Sequence, residues 1–193
     1  MTHPAGVVDP SGVEAATTGL LRALGIDLTN EHLIETPARM AKALIEMTTV
    51  PDFEMTTFAN DEGYDELVIV QDIPVNSLCE HHMLPFTGVA HVGYLPGARI
   101  LGLSKFARAV EFHARRPQTQ ERLTKQVADQ LHEHLQPQGV GVVVEAEHNC
   151  MSLRGARVPG TRTVTSALSG RVRDDSRTRN EFLSLARRDG GPR

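Results

Sequence analysis

The 193-residue chain has no tryptophan, and aromatic residues make up 4% of it. Stacking platforms for single-stranded nucleic acid are therefore not expected. Excess positive charge is missing too. The formal net charge is −4, which argues against general nucleic-acid binding but not against binding one nucleotide. No apolar run approaches the roughly 18 residues of a membrane span. Met1–Pro10 lacks the basic head and apolar core of a signal peptide. Two cysteines occur, both beside histidines. That placement fits a reducing compartment better than a disulfide framework, so a cytoplasmic protein is expected.

What remains is an ordinary globular composition, 40% hydrophobic and 23% charged, enough for one domain or a small domain with an N-terminal appendage. The charge is uneven. From Arg154 to Arg193 there are ten arginines against four acids, a net +6, while the 153 residues before them carry ten basic and twenty acidic residues, a net −10. A basic end on an acidic body calls for an anionic ligand or for pairing between subunits.

The cysteines mark the chemistry. Cys79-Glu80-His81-His82 puts a thiol and an imidazole at a C-x2-H spacing, and His148-Asn149-Cys150 answers it much later. Zinc takes such ligands, and a catalytic zinc keeps three protein ligands and one open position. Cys79, His82 and Cys150 would be those three, with His81 and His148 beside the open position to move protons. On spacing alone, a closed structural zinc with His81 or His148 as fourth ligand stays open, and so does a disulfide.

Residues 1–10 read as a loose end. Residues 11–24 read as a helix capped by Ser11 and ended by Gly25, residues 30–35 as a short turn, and Thr36-Pro37 as the cap and first position of a second helix ended by Pro51. Arg39 in its first turn opposes the helix dipole and invites an anion. Leu67–Val75 and Phe86–Leu95 are strand-like, with His91 a strand residue. Ser104 would cap the next helix, where its hydroxyl, Lys105 and free N–H groups could hold a phosphate, with Arg108 reaching the same end. Leu123, Val127, Leu131 and Leu135 stripe a helix over about 118–135, with His132 and His134 at its surface. Val140–Glu147 is a strand delivering His148 and Cys150 to one face of an extended segment. Thr161–Ser169 is another strand, and 174–188 a final amphipathic helix. The parts are thus a disordered end at 1–10, a helical region at 11–65 and a catalytic domain at 66–193, in the α+β class.

These motifs together resemble GTP cyclohydrolase I. The resemblance rests on Cys79-Glu-His-His82, Gly102-Leu-Ser-Lys105 with Arg108, Arg116-Pro-Gln-Thr-Gln-Glu-Arg-Leu-Thr124, His148-Asn-Cys150 with Arg154-Gly155, Thr163-Val-Thr-Ser166, and upstream Thr36-Pro-Ala-Arg39. It implies a T-fold, an antiparallel sheet with two long helices on one face, preceded by a helical part, and a toroidal homodecamer with active sites between subunits. The implied reaction turns GTP and water into formate and 7,8-dihydroneopterin 3'-triphosphate, toward folate or tetrahydrobiopterin. A diverged paralogue opening the same ring for a specialised pathway would carry the same motifs, as would, in principle, a non-catalytic GTP-binding subunit.

By the same resemblance Cys79, His82 and Cys150 hold Zn2+, and His81 and His148 transfer protons. Glu121, supported by Gln120, holds the guanine edge. Lys105, Arg108 and Arg154 clamp the triphosphate with Arg39 from a neighbouring subunit, and Ser104 serves the later sugar rearrangement. Neither nucleic acid nor membrane is expected as a partner.

Overall fold

The computed structural model describes residues 7–50 and 52–187. The first six residues of the expected loose end lie outside the described residues. Two helices lead, α1 (Pro10–Ala23) and α2 (Thr36–Thr48), joined by a turn in which Leu33 and Ile34 donate to Asn30 O. They form a hairpin closed by Leu21 and Ala41, and the buried Thr17 hydroxyl donates to Pro37 O at 2.9 Å.

Three expected caps move. Pro10 occupies the first turn of α1, so the cap falls two residues before Ser11, on Asp9, which accepts from Gly12 N at 3.0 Å and from the Ser11 hydroxyl at 2.7 Å. Ser11 is inside the helix. Thr36 is the first residue of α2, after a Glu35 cap that makes no side-chain bond. Ser104 likewise opens its helix after Leu103, because Lys105 N already donates to Gly102 O at 2.8 Å and starts the winding early.

Beyond α2 come β1 (Thr57–Ala59), β2 (Val68–Cys79), β3 (Pro85–Leu95), β4 (Arg99–Leu101), α3 (Ser104–Ala114), β5 (Pro117–Gln118), α4 (Gln120–Leu135), β6 (Gly139–His148), α5 (Asn149–Ser152), β7 (Arg162–Ser169), α6 (Gly170–Asp174) and α7 (Ser176–Leu185). The main sheet runs β5-β2-β3-β6-β7, antiparallel except where β5 lies parallel to the end of β2. β1 and β4 pair separately, and Leu101 N donates to the buried Tyr94 hydroxyl at 2.8 Å, pinning β4 to the core.

The strands alternate as period-2 sequences must. Val142 and Val144 face the main core with Phe86, Ala90 and Val92, against Phe106 and Val110 of α3 and Leu123, Val127 and Leu131 of α4. Val143 points the other way, onto Val172 of α6 and Phe182 and Ala186 of α7. Two long helices cover one face of the sheet and the C-terminal pair packs on the other, a mixed α+β arrangement. The expected helix over 174–188 is α7, which starts at Ser176 after the short α6: Asp175 caps it, its carboxylate accepting from Arg177 N at 3.0 Å and the Thr178 hydroxyl at 2.9 Å. Position 188 lies outside the described residues.

At Gly141 the Phe182 ring of α7 lies against the strand. A Cβ there would stand 2.6 Å from the Phe182 ring. His91 sits buried on β3 and its Nδ1 accepts from Asp72 N at 3.3 Å, beside the bulge in β2 where Asp72 takes φ +54°. His132 and His134 are exposed, as expected. Among the described residues no helix is long and apolar enough to cross a membrane.

Candidate active site

Four separate segments meet at one end of the sheet. β2 ends on the buried Cys79, after which the chain reverses within four residues. Cys79 N donates to Leu84 O and Met83 N to Cys79 O, both at 2.8 Å, and Met83 takes the left-handed conformation, φ +54°, that closes the turn. His81 and His82 are thereby held on an exposed loop over the thiol. β5 pairs Gln118 with Cys79 and hands the chain to α4, whose cap is Thr119 and whose first two residues are Gln120 and Glu121. β6 ends on His148, cross-strand partner of Phe86, and the two rings stack at 4.6 Å and 9°.

Cys150 departs from expectation. The strand stops at His148 and Asn149–Ser152 form one helical turn, with Leu153 N donating to Asn149 O. That winding, not the pleat of a strand, brings the Cys150 thiol round to Cys79.

The two Sγ atoms are 3.9 Å apart, too far for a bond of about 2.05 Å, so both are free thiols. The Cys79 sulfur lies 3.7 Å from His81 Nδ1 and 3.8 Å from His82 Nδ1. One ligand atom each from Cys79, His148 and Cys150 lie within 4.8 Å of one another. Two sulfurs on a tetrahedral zinc, each about 2.3 Å from it, stand about 3.8 Å apart, and a sulfur and an imidazole nitrogen about 3.6 Å apart. The donor set fits zinc. It offers more imidazoles than a three-ligand site needs, and His148 is in the mutual group that spacing assigned to His82.

Burial pushes the Cys150 thiol up, with the Cys79 sulfur adding to the effect. Burial also lowers His148 from its ordinary value, partly opposed by the Glu121 carboxylate. Arg154 bears on the Cys150 thiol in the opposite sense to burial. Glu80 pairs with Arg122, whose Nε donates to Gln118 Oε1 at 2.7 Å, tying the histidine loop to α4.

A cleft of about 330 Å³ opens over this cluster, lined by His81, His82, Glu121, His148, both cysteines and Thr163. Ser104, Lys105 and Arg108 are not among its lining residues. They belong to the first turns of α3, whose other end abuts the site: Ala114 O accepts from Ser77 Oγ at 2.6 Å. Ten residues of helix put the two ends about 15 Å apart. Arg39 on α2 is exposed and also absent from the lining. Within one chain the structure therefore gathers the thiols, the imidazoles, Gln120 and Glu121, and leaves Ser104, Lys105, Arg108 and Arg39 elsewhere.

Sequence reading gave no role to Phe86, Gln118 or Thr165, although the last two stand within the family's motifs. Phe86 carries the His148 ring, and Thr165 bonds Gln120. Their signal is weak because each is a plain strand or loop residue until the sheet pairs.

A family model for GTP cyclohydrolase I matches residues 13–187. GTP cyclohydrolase 1 of Streptomyces avermitilis is 54% identical over 187 residues, covering 93% of this chain and 92% of that protein. The enzyme of the same name from Mycobacteroides abscessus is 52% identical over 194 residues, 96% of this chain and 94% of the other. That of Thermobifida fusca is 50% identical over 188 residues, 94% and 90%.

Proposed function

The chain belongs to the GTP cyclohydrolase I family and is an enzyme with that family's activity; on that premise we propose that it opens the imidazole ring of GTP at a zinc held by Cys79, His82 and Cys150. The products are formate and 7,8-dihydroneopterin 3'-triphosphate. The convergence of two free thiols, three imidazoles and Glu121 on one cleft carries this reading.

Zinc there supplies Lewis acidity, drawing the pKa of water toward neutrality. The chain supplies the rest. Glu121 accepts from adjacent N–H groups on the guanine edge, a pattern adenine does not offer. His81 and His148 take and return protons as water adds at C8 and the ring opens, since a neutral imidazole has one nitrogen that gives a proton and one that accepts it. Lys105, Arg108, Arg154 and Arg39 hold the triphosphate, whose roughly four charges need several cations. Ser104 serves the rearrangement of the sugar.

Ser104, Lys105 and Arg108 lie at the opposite end of α3 from the thiol site, whereas Arg154 acts on the Cys150 thiol itself, which supports an active site shared between copies of the chain. A homodecamer satisfies that need. We assign residues 11–65 to an N-terminal helical region and 66–193 to a catalytic domain of the T-fold type, working in the cytoplasm where its thiols stay reduced.

The test is incubation with GTP, with and without a chelator, following formate and the pterin chromophore together. Both should appear, and the chelator should stop both. Formate without the pterin would mean a diverged paralogue; neither, with zinc loaded, would withdraw the reading.

A further inference from the structure

Gln120 is the first residue of α4 and is 1% exposed. Its amide has two N–H hydrogens to give and one oxygen that only accepts. The nitrogen faces two backbone carbonyls, Thr163 O at 2.9 Å and Val144 O at 3.0 Å, with Thr165 Oγ1 at 3.2 Å. Turning the amide over would set its oxygen against two carbonyl oxygens in a buried place, with no hydrogen between any of them.

The hydroxyls beside it agree. Thr124 donates to Gln120 O at 2.7 Å, so in the 2.6 Å contact between Thr124 and Thr165 it is Thr165 that donates. Thr165 then keeps a lone pair for the Gln120 amide nitrogen. Helix α4 and strands β6 and β7 all hold the amide one way round.

Its oxygen consequently faces His148 Nε2, at 2.8 Å. Because that oxygen can only accept, Nε2 carries the hydrogen, and in the neutral ring Nδ1 holds the lone pair. The stacked Phe86 ring sets the plane of the imidazole and Gln120 sets its rotation within that plane.

We propose that Gln120 is a positioning residue: its amide fixes His148 as the Nε2–H tautomer, so that Nδ1 is the atom that exchanges the proton in the cyclohydrolase reaction. This deepens the reading above and rests on it. It also moves Gln120 from a guanine contact to a role exerted through His148. The exposed Glu121 next to it is left to meet the base.

Gln120→Met keeps the length and removes both hydrogen-bonding functions. The kcat for formate release should fall about 100-fold, with KM for GTP within about threefold and the preference for GTP over ATP intact. Solid-state 15N spectra of the histidine-labelled wild-type holoenzyme, with His148 assigned by its loss in His148→Gln, should show Nε2 protonated. A raised KM with unchanged kcat, or a lost preference for GTP, would make Gln120 a base contact and overturn the proposal. An Nδ1-protonated His148 in the wild type would overturn it as well, and decides alone should Gln120→Met not fold. If the wild type releases no formate, the functional reading fails instead, while the spectra still report the tautomer.

Discussion

Cys79 Sγ and Cys150 Sγ stand 3.9 Å apart across 71 residues of chain. One comes from the end of a strand and the other from a single helical turn, and neither is bonded to the other. The spacing is that of two sulfurs on one tetrahedral ion.

Cys150→Ser should therefore weaken zinc binding by more than about 100-fold, since even outer partners of a ligand are worth 10–100-fold. Competition against a chromophoric chelator measures it. Unchanged affinity would remove Cys150 from the ligand set.

The surplus of imidazoles can be sorted in the same assay. His82→Ala should lose zinc as Cys150→Ser does. His148→Ala should keep zinc and lose about 100-fold or more in kcat, the usual contribution of a proton-transfer group. The reverse pattern would make His148 the ligand, as its place in the mutual group allows.

Glu121→Ala should erase guanine recognition. Hydrogen bonds to a charged group contribute about 1.5–3 kcal/mol, so discrimination between GTP and ATP should drop about 10–100-fold. Inhibition constants for ATP against GTP, side by side in both proteins, give the ratio. An unchanged ratio places the guanine elsewhere.

Gly141→Ala tests the back of the sheet. The added methyl would press on the Phe182 ring, and overpacking of this kind costs about 1–3 kcal/mol. Thermal unfolding should shift down by about 2–4 °C per kcal/mol in a protein of this size. No shift would mean that α7 can slide away freely.

Asp175 gives α7 its pH dependence. Hydrogen bonds from Arg177 N and then Thr178 hold its carboxyl below the usual carboxylate range. A carboxyl with a lowered folded value stabilises above its unfolded value and loses that contribution as pH falls through the folded one. The stability difference between wild type and Asp175→Asn should therefore be present at neutral pH and shrink in acid. A difference constant with pH would exclude the carboxylate as the source.

Helices and strands with a full stripe or alternation were legible: α4 from its leucines, β3 and β6 from their valines. Their caps were less so, because Asp9, Ser11 and Thr36 are all competent and only the winding of the backbone chooses among them. The three-residue strands β1 and β4 and the two-residue β5 carry no periodicity to read. Both thiols and the histidines around them could be picked out by type and spacing. The turn that carries Cys150 could not, since an extended i, i+2 reading is equally consistent with the residues. Nor could Gln120 be separated from Glu121: adjacent and both polar, they differ in what β6 and β7 place over them.

The site draws on residues near 79–82, 118–121, 148–150 and 163–165, with the strands between them paired in full. Contacts so distant in sequence form late, after the loops between them have closed. The Cys79–His82 turn brings one thiol to two imidazoles, and the second thiol joins them from 71 residues away. A protease cut inside β6 would leave both thiols in the tube and no place where they meet. Metal uptake would then mark the completion of folding, arriving in one step with the last strand.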